Sequence, residues 1–461
     1  MEQTYKNPLG IEKIQNLLVK FAIPSIISML VSALYNIVDQ FFIGRSVGML
    51  GNAATNVAFP LTTTCVAISL LFGIGGASNF NLTLGGGDKE TASQYAGNSV
   101  FFLFFFGILL CIIVRTFLNP LLHLFGATSN VLEYSLIYTG ITSLGFPFLI
   151  LSNGGSNLVR ADGSPRYSML CMLTGAAINT ILDPIFIFVF NMGMAGAAWA
   201  TVIGQVISCC MIILYLTHFK TVDLKISCFK PSFTLFIHII SIGAAAFFNQ
   251  IAMMLVQICM NNTLTYYGAM SVYGSDIPLA CAGIIIKVGM IFFSFIIGLS
   301  QGLQPIVSFN YGAKNYARVR EAYLTTTVIG TMISVISFFI FQLFPRQIIG
   351  IFGSGSEEYF HFAEQYFRIY LFFTFINGLQ PITSNFFTSI GKATKGIFLS
   401  LTRQIIFLLP LILLLPYFMG IDGVMYAGPV ADFAAAVLAF IFIKRELKKM
   451  KLLEIEKLQT A

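Results

Sequence analysis

The sequence carries little charge for its length. Only 10% of its 461 residues are Asp, Glu, Lys or Arg, and 57% are hydrophobic. A soluble protein of this size carries about 25% charged residues. The composition therefore excludes an ordinary soluble globular protein and directs attention to the lipid bilayer.

The motifs of several chemical classes are also missing. The eight cysteines form no CxxC or Cys/His metal spacing and the four histidines are scattered, so we interpret the cysteines as small apolar residues within helices. Gly391-Lys392-Ala393 lacks the glycine spacing and the hydroxyl of a phosphate-binding Walker A loop. The polar start precedes an apolar run too long for a cleavable signal. We predict no catalytic residues, no enzymatic activity and no cofactor.

Long apolar runs are what the sequence does contain. Each is roughly 20 residues or more, enough to cross about 30 Å of hydrocarbon at 1.5 Å per residue. Twelve such runs lie near residues 20–44, 54–82, 92–115, 130–157, 165–190, 193–217, 234–261, 277–304, 320–344, 358–387, 396–417 and 421–443. The pattern predicts an all-α integral membrane protein with twelve transmembrane helices.

The basic residues predict the orientation of these helices. If the amino terminus is cytoplasmic, twenty of the 26 Lys and Arg residues fall on the cytoplasmic side and four on the outer side, with two inside helices. Positive residues accumulate on the cytoplasmic side, so both termini are predicted there, in a multi-pass protein of the cell (plasma) membrane. The net charge of +7 then reflects topology, and we expect no binding to nucleic acid.

The two halves of the chain repeat one another. Gly73–Asn79 recurs 225 residues later as Gly298–Gln304, and Gly193–Gly196 recurs 227 residues later as Gly420–Gly423. Six helices are an even number, so both halves enter the membrane the same way round and form two six-helix bundles related by a pseudo-twofold along the membrane normal. The predicted divisions are an amino-terminal lobe over 1–217, a cytoplasmic linker over 218–233, and a carboxyl-terminal lobe with a basic cytoplasmic tail over 234–461.

Two acids, Asp39 and Asp183, lie inside apolar spans. A carboxylate in hydrocarbon costs several kcal/mol unless it faces water, an ion or a proton donor. Counted from the cytoplasmic helix ends, these acids share a layer roughly 18–28 Å deep with Tyr35, Asn179 and Thr201. Tyr35 and Asp39, like Asn179 and Asp183, are four residues apart and project from one helix face.

The chemistry of this layer suits a small cation. Carboxylate, amide and hydroxyl oxygens of Asp39, Asn179, Asp183 and Thr201 form a hard shell appropriate to Na⁺, and the same carboxylates could carry H⁺ instead. The alternative is that the acids only bond neighbouring helices. The second half has apolar residues at the matching positions, such as Leu264 for Asp39, so the fold itself does not require the acids.

Two opposite charges lie deep in the second half. Lys287 and Asp432 are each about 15 Å from the outer ends of their helices, and this equal depth predicts an interhelical ion pair. The alternative is a role for Lys287 in gating or in contacting an anionic ligand. Arg403, near an inner helix end, is predicted to extend its guanidinium to the membrane surface.

Together these segments resemble a known family. Nearly the full chain is similar to the multidrug and toxic compound extrusion (MATE) transporters, in particular to their DinF/MepA-like branch. The resemblance rests on IPSIISMLVSALYNIVDQFFIG, RADGSPRYSML, NTILDPIFI, GMAGAAWATVIGQ and GLSQGLQPIVSFNYGAKNYARV. It implies two bundles around a central cleft and export of cationic, amphipathic compounds in exchange for Na⁺ or H⁺.

The resemblance also implies roles for residues. Asp39, Asn179, Asp183 and Thr201 fall on the amino-lobe cation site, and Tyr35 and Tyr138 on its hydrogen-bonding neighbours, while Pro24 matches the hinge of the first helix. One branch of the family carries carboxylates in helices 7 and 10. Helix 7 here has no acid, and Glu364 lies too near the start of helix 10, so we predict no cation site in the second half.

The sequence therefore predicts a secondary active antiporter that confers multidrug efflux by alternating access. Its expected partners are amphipathic organic cations and membrane lipids, and we expect a monomer. A lipid-linked oligosaccharide flippase is the nearest alternative, although its pyrophosphate calls for a cluster of cavity arginines. An ion channel or a membrane receptor is a more distant one. The choice between Na⁺ and H⁺ stays open.

Overall fold

Long apolar helices make up nearly all of this computed structural model, which describes residues 7–274, 276–352 and 357–460. The helices of the first half are α1 (Pro8–Ile11), α2 (Ile14–Ser46), α3 (Met49–Gly85), α4 (Lys89–Thr116), α5 (Leu118–Leu124), α6 (Ser129–Thr142), α7 (Phe146–Ala161), α8 (Pro165–Pro184) and α9 (Gly193–Leu216). Those of the second half are α10 (Phe233–Ala269), α11 (Asp276–Gly312), α12 (Tyr316–Leu343), α13 (Pro345–Phe352), α14 (Glu357–Tyr370), α15 (Thr374–Asn377), α16 (Leu379–Ser389), α17 (Ala393–Leu401), α18 (Leu409–Met419) and α19 (Ile421–Thr460).

The described residues contain eleven helical stretches that are long and apolar enough to cross a membrane. One of them joins α6 and α7 through a 3₁₀ turn at Ser143–Gly145. The remaining predicted span, at 358–387, is divided among α14, α15 and α16, with Gly378 between the last two. The predicted all-helical membrane fold is confirmed, with its tenth span broken.

The two halves meet along two equivalent helix pairs, α2 with α11 and α10 with α3. These two pairs are equivalent, since α10 repeats α2 and α11 repeats α3, and they fit the predicted pseudo-twofold. Glycines bring the backbones into contact: a β-carbon added at Gly302 would lie 2.6 Å from Ala22 Cα, and one added at Gly243 would lie 1.8 Å from the Leu71 carbonyl oxygen. Only glycine leaves room for this approach.

These contacts lie at one end of the molecule, the end predicted to be cytoplasmic. The amino-terminal segment closes it further, because Arg318 Nη2 donates to the carbonyl oxygens of Leu9 (3.1 Å) and Glu12 (2.6 Å) and Asn310 Nδ2 donates to Leu9 O (2.8 Å). On the side of α11 that faces α2 and nearer the other end of the helix, a β-carbon added at Gly283 would meet no atom within 4 Å. The halves are therefore sealed at the inner end and diverge toward the outer end.

The inner seal should be sensitive to added volume. We expect Gly302→Val to destabilise the protein by about 1–3 kcal/mol, because the new side chain overlaps the backbone of α2. Melting curves with a thiol-reactive dye measure this, since seven of the eight free cysteines are buried or partly buried in the folded protein. Gly289→Val on the same helix is the matched control and should melt like the wild type. Equal melting temperatures for both variants would contradict the tight seam.

The segment predicted as a linker is fixed to the first half. The Asp162 carboxylate accepts hydrogen bonds from Tyr215 Oη (2.7 Å) and from the backbone nitrogens of Lys220 (2.7 Å) and Thr221 (2.9 Å). Burial raises the pKa of Asp162, and these donors oppose that effect. Further along, Asn98 Nδ2 donates to Cys228 O at 3.0 Å. The connection between the halves is thus an ordered segment that packs against α4.

Candidate cation-binding site

Three helices of the first half bring the predicted oxygen ligands together. Asp39 comes from α2, Asn179 and Asp183 from α8, and Thr201 from α9. Asp183 is fully buried, and the other three are at most 8% exposed. Four polar side chains have thus been withdrawn from water inside an apolar bundle, which requires partners for their polar atoms.

Small residues allow α8 and α9 to approach one another here. A β-carbon added at Gly204 would lie 2.7 Å from the Gly175 carbonyl oxygen, and one added at Gly175 would lie 2.0 Å from Ser208 Oγ. One turn further out, Asn179 Nδ2 donates to Thr201 Oγ1 at 3.2 Å. The amide oxygen of Asn179 is thereby turned away from Thr201.

The two carboxylates are adjacent. Asp39 and Asp183 lie within electrostatic range of one another. The phenol groups of Tyr35 and Tyr138 lie near both acids and near Thr201. The structure therefore gathers the six predicted residues of the site and its hydrogen-bonding neighbours into one cluster.

The oxygen atoms of this cluster lack hydrogen-bond partners. Asp39 Oδ1, Asn179 Oδ1 and both carboxylate oxygens of Asp183 are buried without one. An unpaired buried polar atom costs about 1–3 kcal/mol, and more if it is charged. A bound cation or a proton shared between the acids removes that cost. The described residues hold no group of three or more His, Cys, Asp or Glu side chains that could bind a metal ion. Carboxylate, amide and hydroxyl oxygens are hard ligands, which transition metals favour less than hard cations do.

Pro24 lies within α2, and the helix continues through it. Ser28 Oγ donates to the Pro24 carbonyl oxygen at 2.9 Å. The proline stands between Ala22 and Ile26, whose backbones touch α11 at the inner seal. It is about 22 Å below Asp39 along α2. A bend at Pro24 would therefore move Asp39 relative to the part of α2 that precedes the proline, including the contact of Ala22 with α11.

A π-helical turn after α8 is a feature that the sequence analysis missed. Ile185–Val189 forms this turn directly after Asp183 and Pro184. Proline has no N–H to donate, so it disturbs the regular helical ladder, and π-turns are frequent at functional sites. The Asp-Pro pair at the end of a span is the signal that could have indicated an irregular helix beside the acid.

The predicted Lys287–Asp432 ion pair is wrong. Arg403 Nε donates to Asp432 Oδ1 at 2.5 Å, and Asn377 Nδ2 donates to Asp432 Oδ2 at 3.0 Å. The Arg403 side chain is only 12% exposed, so its predicted extension to the membrane surface is also wrong. Arg403 belongs to a π-helical stretch, Thr402–Leu408, that packs on α19. Equal depth had suggested Lys287 as the partner of Asp432. The pairing depends instead on which side chain lies beside Asp432 within the membrane plane, and that is Arg403.

Lys287 consequently stands apart. Its side chain is exposed, and it has no hydrogen-bond or ion-pair partner among the residues that the structure describes.

Comparison with known proteins identifies relatives along most of the chain. The MatE family model matches residues 24–185 and 240–414. The multidrug export protein MepA of Staphylococcus haemolyticus (strain JCSC1435) is 24% identical over 442 residues, which are 95% of this chain and 96% of the relative. A MATE crystal structure in complex with MaL6 superposes with a TM-score of 0.89 at 24% identity, covering 96% of this chain and 98% of that one. An outward-facing multidrug resistance MATE family transporter superposes with a TM-score of 0.88 at 23% identity, covering 98% of each chain.

Proposed function

Because this chain belongs to the MATE family of multidrug export transporters, we propose that it is a secondary active antiporter that exports amphipathic organic cations in exchange for Na⁺ or H⁺. The observation that carries the proposal is the set of buried, unpartnered oxygens on Asp39, Asn179 and Asp183. Buried carboxylate and amide oxygens without partners carry a free-energy cost, and a bound cation would remove it.

Antiport requires that the cation favour one conformation over the other. Asp39 and Asp183 are on different helices, α2 and α8, so a cation between them draws these helices together. α2 also forms the inner seal against α11. Binding at the acids is thereby linked to the position of α2 in the cleft wall, and Pro24 is the hinge in this proposal. Closing the first-half cavity would expel the exported compound.

The direction of transport follows from the predicted orientation. In this proposal both termini and the ordered linker face the cytoplasm, in the plasma membrane. The halves are sealed at that inner end and diverge at the other, so this state would receive the coupling cation from outside. The acids lie in the outer part of the bundle, within reach of that opening.

The main requirement of the flippase alternative is not met. A pyrophosphate substrate calls for several free cationic side chains in the cleft. The arginines buried within the described spans are engaged elsewhere: Arg403 pairs with Asp432, and Arg160 Nη2 donates to Asn157 Oδ1 at 2.7 Å. The side-chain pattern therefore favours the export of organic compounds.

The coupling ion can be identified in proteoliposomes. Ethidium transport is measured under a Na⁺ gradient alone and then under a pH gradient alone, with empty liposomes as control. We expect at least one gradient to drive transport. If Na⁺ drives it, Thr201→Val should raise the Na⁺ concentration for half-maximal transport, because it removes one oxygen ligand, and H⁺-driven transport should be unchanged. Transport that neither gradient stimulates would refute antiport.

A further inference from the structure

The segment that precedes α2 attaches the first half to the inner end of the second half. Arg318 lies in the first turn of α12, and its Nη2 donates to Leu9 O at 3.1 Å and to Glu12 O at 2.6 Å. Asn310, near the end of α11, donates from Nδ2 to Leu9 O at 2.8 Å. The Leu9 side chain is 3% exposed, and α1 packs on α11. Residues 7–13, the amino-terminal strap, are therefore docked on the second half.

Glu12 lies at the boundary between the halves. Its carbonyl oxygen is bound by Arg318 of the second half, whereas its carboxylate lies 3.6 Å from Lys20 Nζ of α2. α2 begins at Ile14, two residues further along the chain, and two residues span at most about 7 Å. The inner end of α2 therefore cannot move far from the second half unless the hydrogen bonds of Arg318 break.

Arg318 is held in position by the second half. Its Nε donates to Asn310 Oδ1 at 3.1 Å, and Asn310, which is fully buried, is fixed by a bond from Nδ2 to Ile306 O at 2.8 Å. The guanidinium itself is half-buried, and its acceptors on the strap are neutral carbonyl oxygens. Water can replace such acceptors at little net cost, so the contact can break and form again.

The linker before α10 holds the other side of the inner end. Asn98 of α4 donates from Nδ2 to Cys228 O at 3.0 Å and accepts from Ser232 N at 2.9 Å, directly before α10 begins. Asp162 fixes the same linker further upstream. This side, where α10 meets α3, is thus anchored twice to the first half in addition to its covalent connection. The side where α2 meets α11 depends on the strap.

We propose that the amino-terminal strap and Arg318 form a latch, which keeps the inner end closed and opens when the cleft turns toward the cytoplasm. The proposal rests on the antiport function above, because alternating access requires the inner end to open in part of the cycle. Opening occurs between α2 and α11, and the linker side acts as the pivot. The latch favours the state that receives the coupling cation from outside.

A cysteine in the seam measures how often the latch opens. Ser25 is 1% exposed and lies three residues from Ala22, on the side of α2 that meets α11. Ser25→Cys is introduced after the eight native cysteines are replaced by alanine, and inside-out membrane vesicles are treated with a charged methanethiosulfonate reagent. Arg318→Met should raise the labelling rate on the order of tenfold, the population shift expected when one charged donor loses its hydrogen bonds. Arg318→Lys should give an intermediate rate.

Arg320→Met is the matched control. It removes the same charged group two residues along α12, where Arg320 Nη2 pairs with Glu454 of the same half at 2.7 Å, and it should label like the parent. Leu9→Ala weakens the strap from its own side and should raise labelling as Arg318→Met does. The two changes together should be less than additive, because they act on one contact. Leu9→Ala also tests the latch if Arg318→Met does not fold.

Labelling that both latch variants leave unchanged would overturn the latch, and so would an equal increase in Arg320→Met. Ethidium transport driven by a gradient would leave antiport standing in either case. Faster labelling in Arg318→Met and Leu9→Ala alone supports the latch. If neither gradient then drives transport, antiport is refuted while the latch remains as a property of the inner seal.

Discussion

Replacing Asp39 or Asp183 with asparagine is expected to reduce ethidium transport to the level of empty liposomes. Asparagine preserves the shape of the side chain and removes the negative charge. Without that charge the cation loses its preference for one conformation, and a gradient can no longer drive the exchange. Initial rates in proteoliposomes under the effective gradient, together with drug susceptibility of expressing cells, measure the effect.

A matched control separates coupling from folding. Asp223→Asn makes the same chemical change at an exposed acid outside the spans and should transport like the wild type. Both site variants should elute as single species of normal size, because each removes a buried charge rather than creating one. Wild-type transport by either Asp39→Asn or Asp183→Asn would eliminate that residue from the coupling site.

The second large effect is expected at the buried ion pair of the second half. Asp432→Asn leaves the Arg403 guanidinium without its counter-charge in a dry environment. Breaking a buried pair on one side typically costs about 3–5 kcal/mol. We therefore expect a large fall in melting temperature and in the yield of folded protein, measured by thiol-dye melting and by size-exclusion chromatography.

The double variant Arg403→Met/Asp432→Leu distinguishes the charge from the packing. It removes both charges and should recover most of the lost stability, because apolar residues of similar size often replace a buried pair without penalty. Glu357→Gln is the exposed control: Arg346 and Glu357 form a solvent-exposed pair at 2.8 Å, whose loss should cost at most about 1 kcal/mol. An Asp432→Asn variant that melts like the wild type would contradict the structural role of the pair.

The broken tenth span illustrates where prediction from sequence ends. The apolar content of 358–387 predicts a membrane segment, and this is what the chain builds. Hydropathy cannot show that the segment divides at Leu371–Phe373 and again at Gly378, because the breaks depend on which neighbours accept the freed backbone groups. The π-helical stretches after α8 and α17 are of the same kind.

The sequence by itself determined the membrane class, the duplicated halves and the layer that holds Asp39, Asn179, Asp183 and Thr201. Each of these follows from counting along one dimension: the length of apolar runs, the offset of a repeat and the rise per residue. The resemblance to MATE transporters, carried by several separate motifs, is confirmed by the family match and by the fold.

Only the tertiary structure decided which helices are neighbours. Depth placed Lys287 and Asp432 at one level. The packing of the Thr402–Leu408 stretch on α19, however, puts Arg403 next to Asp432. Packing also left Lys287 exposed and brought glycines of both halves into the seal at the inner end. The order of residues determines how deep each one lies in the membrane, whereas the neighbours of a helix within the membrane plane depend on contacts between segments that are separate in the sequence.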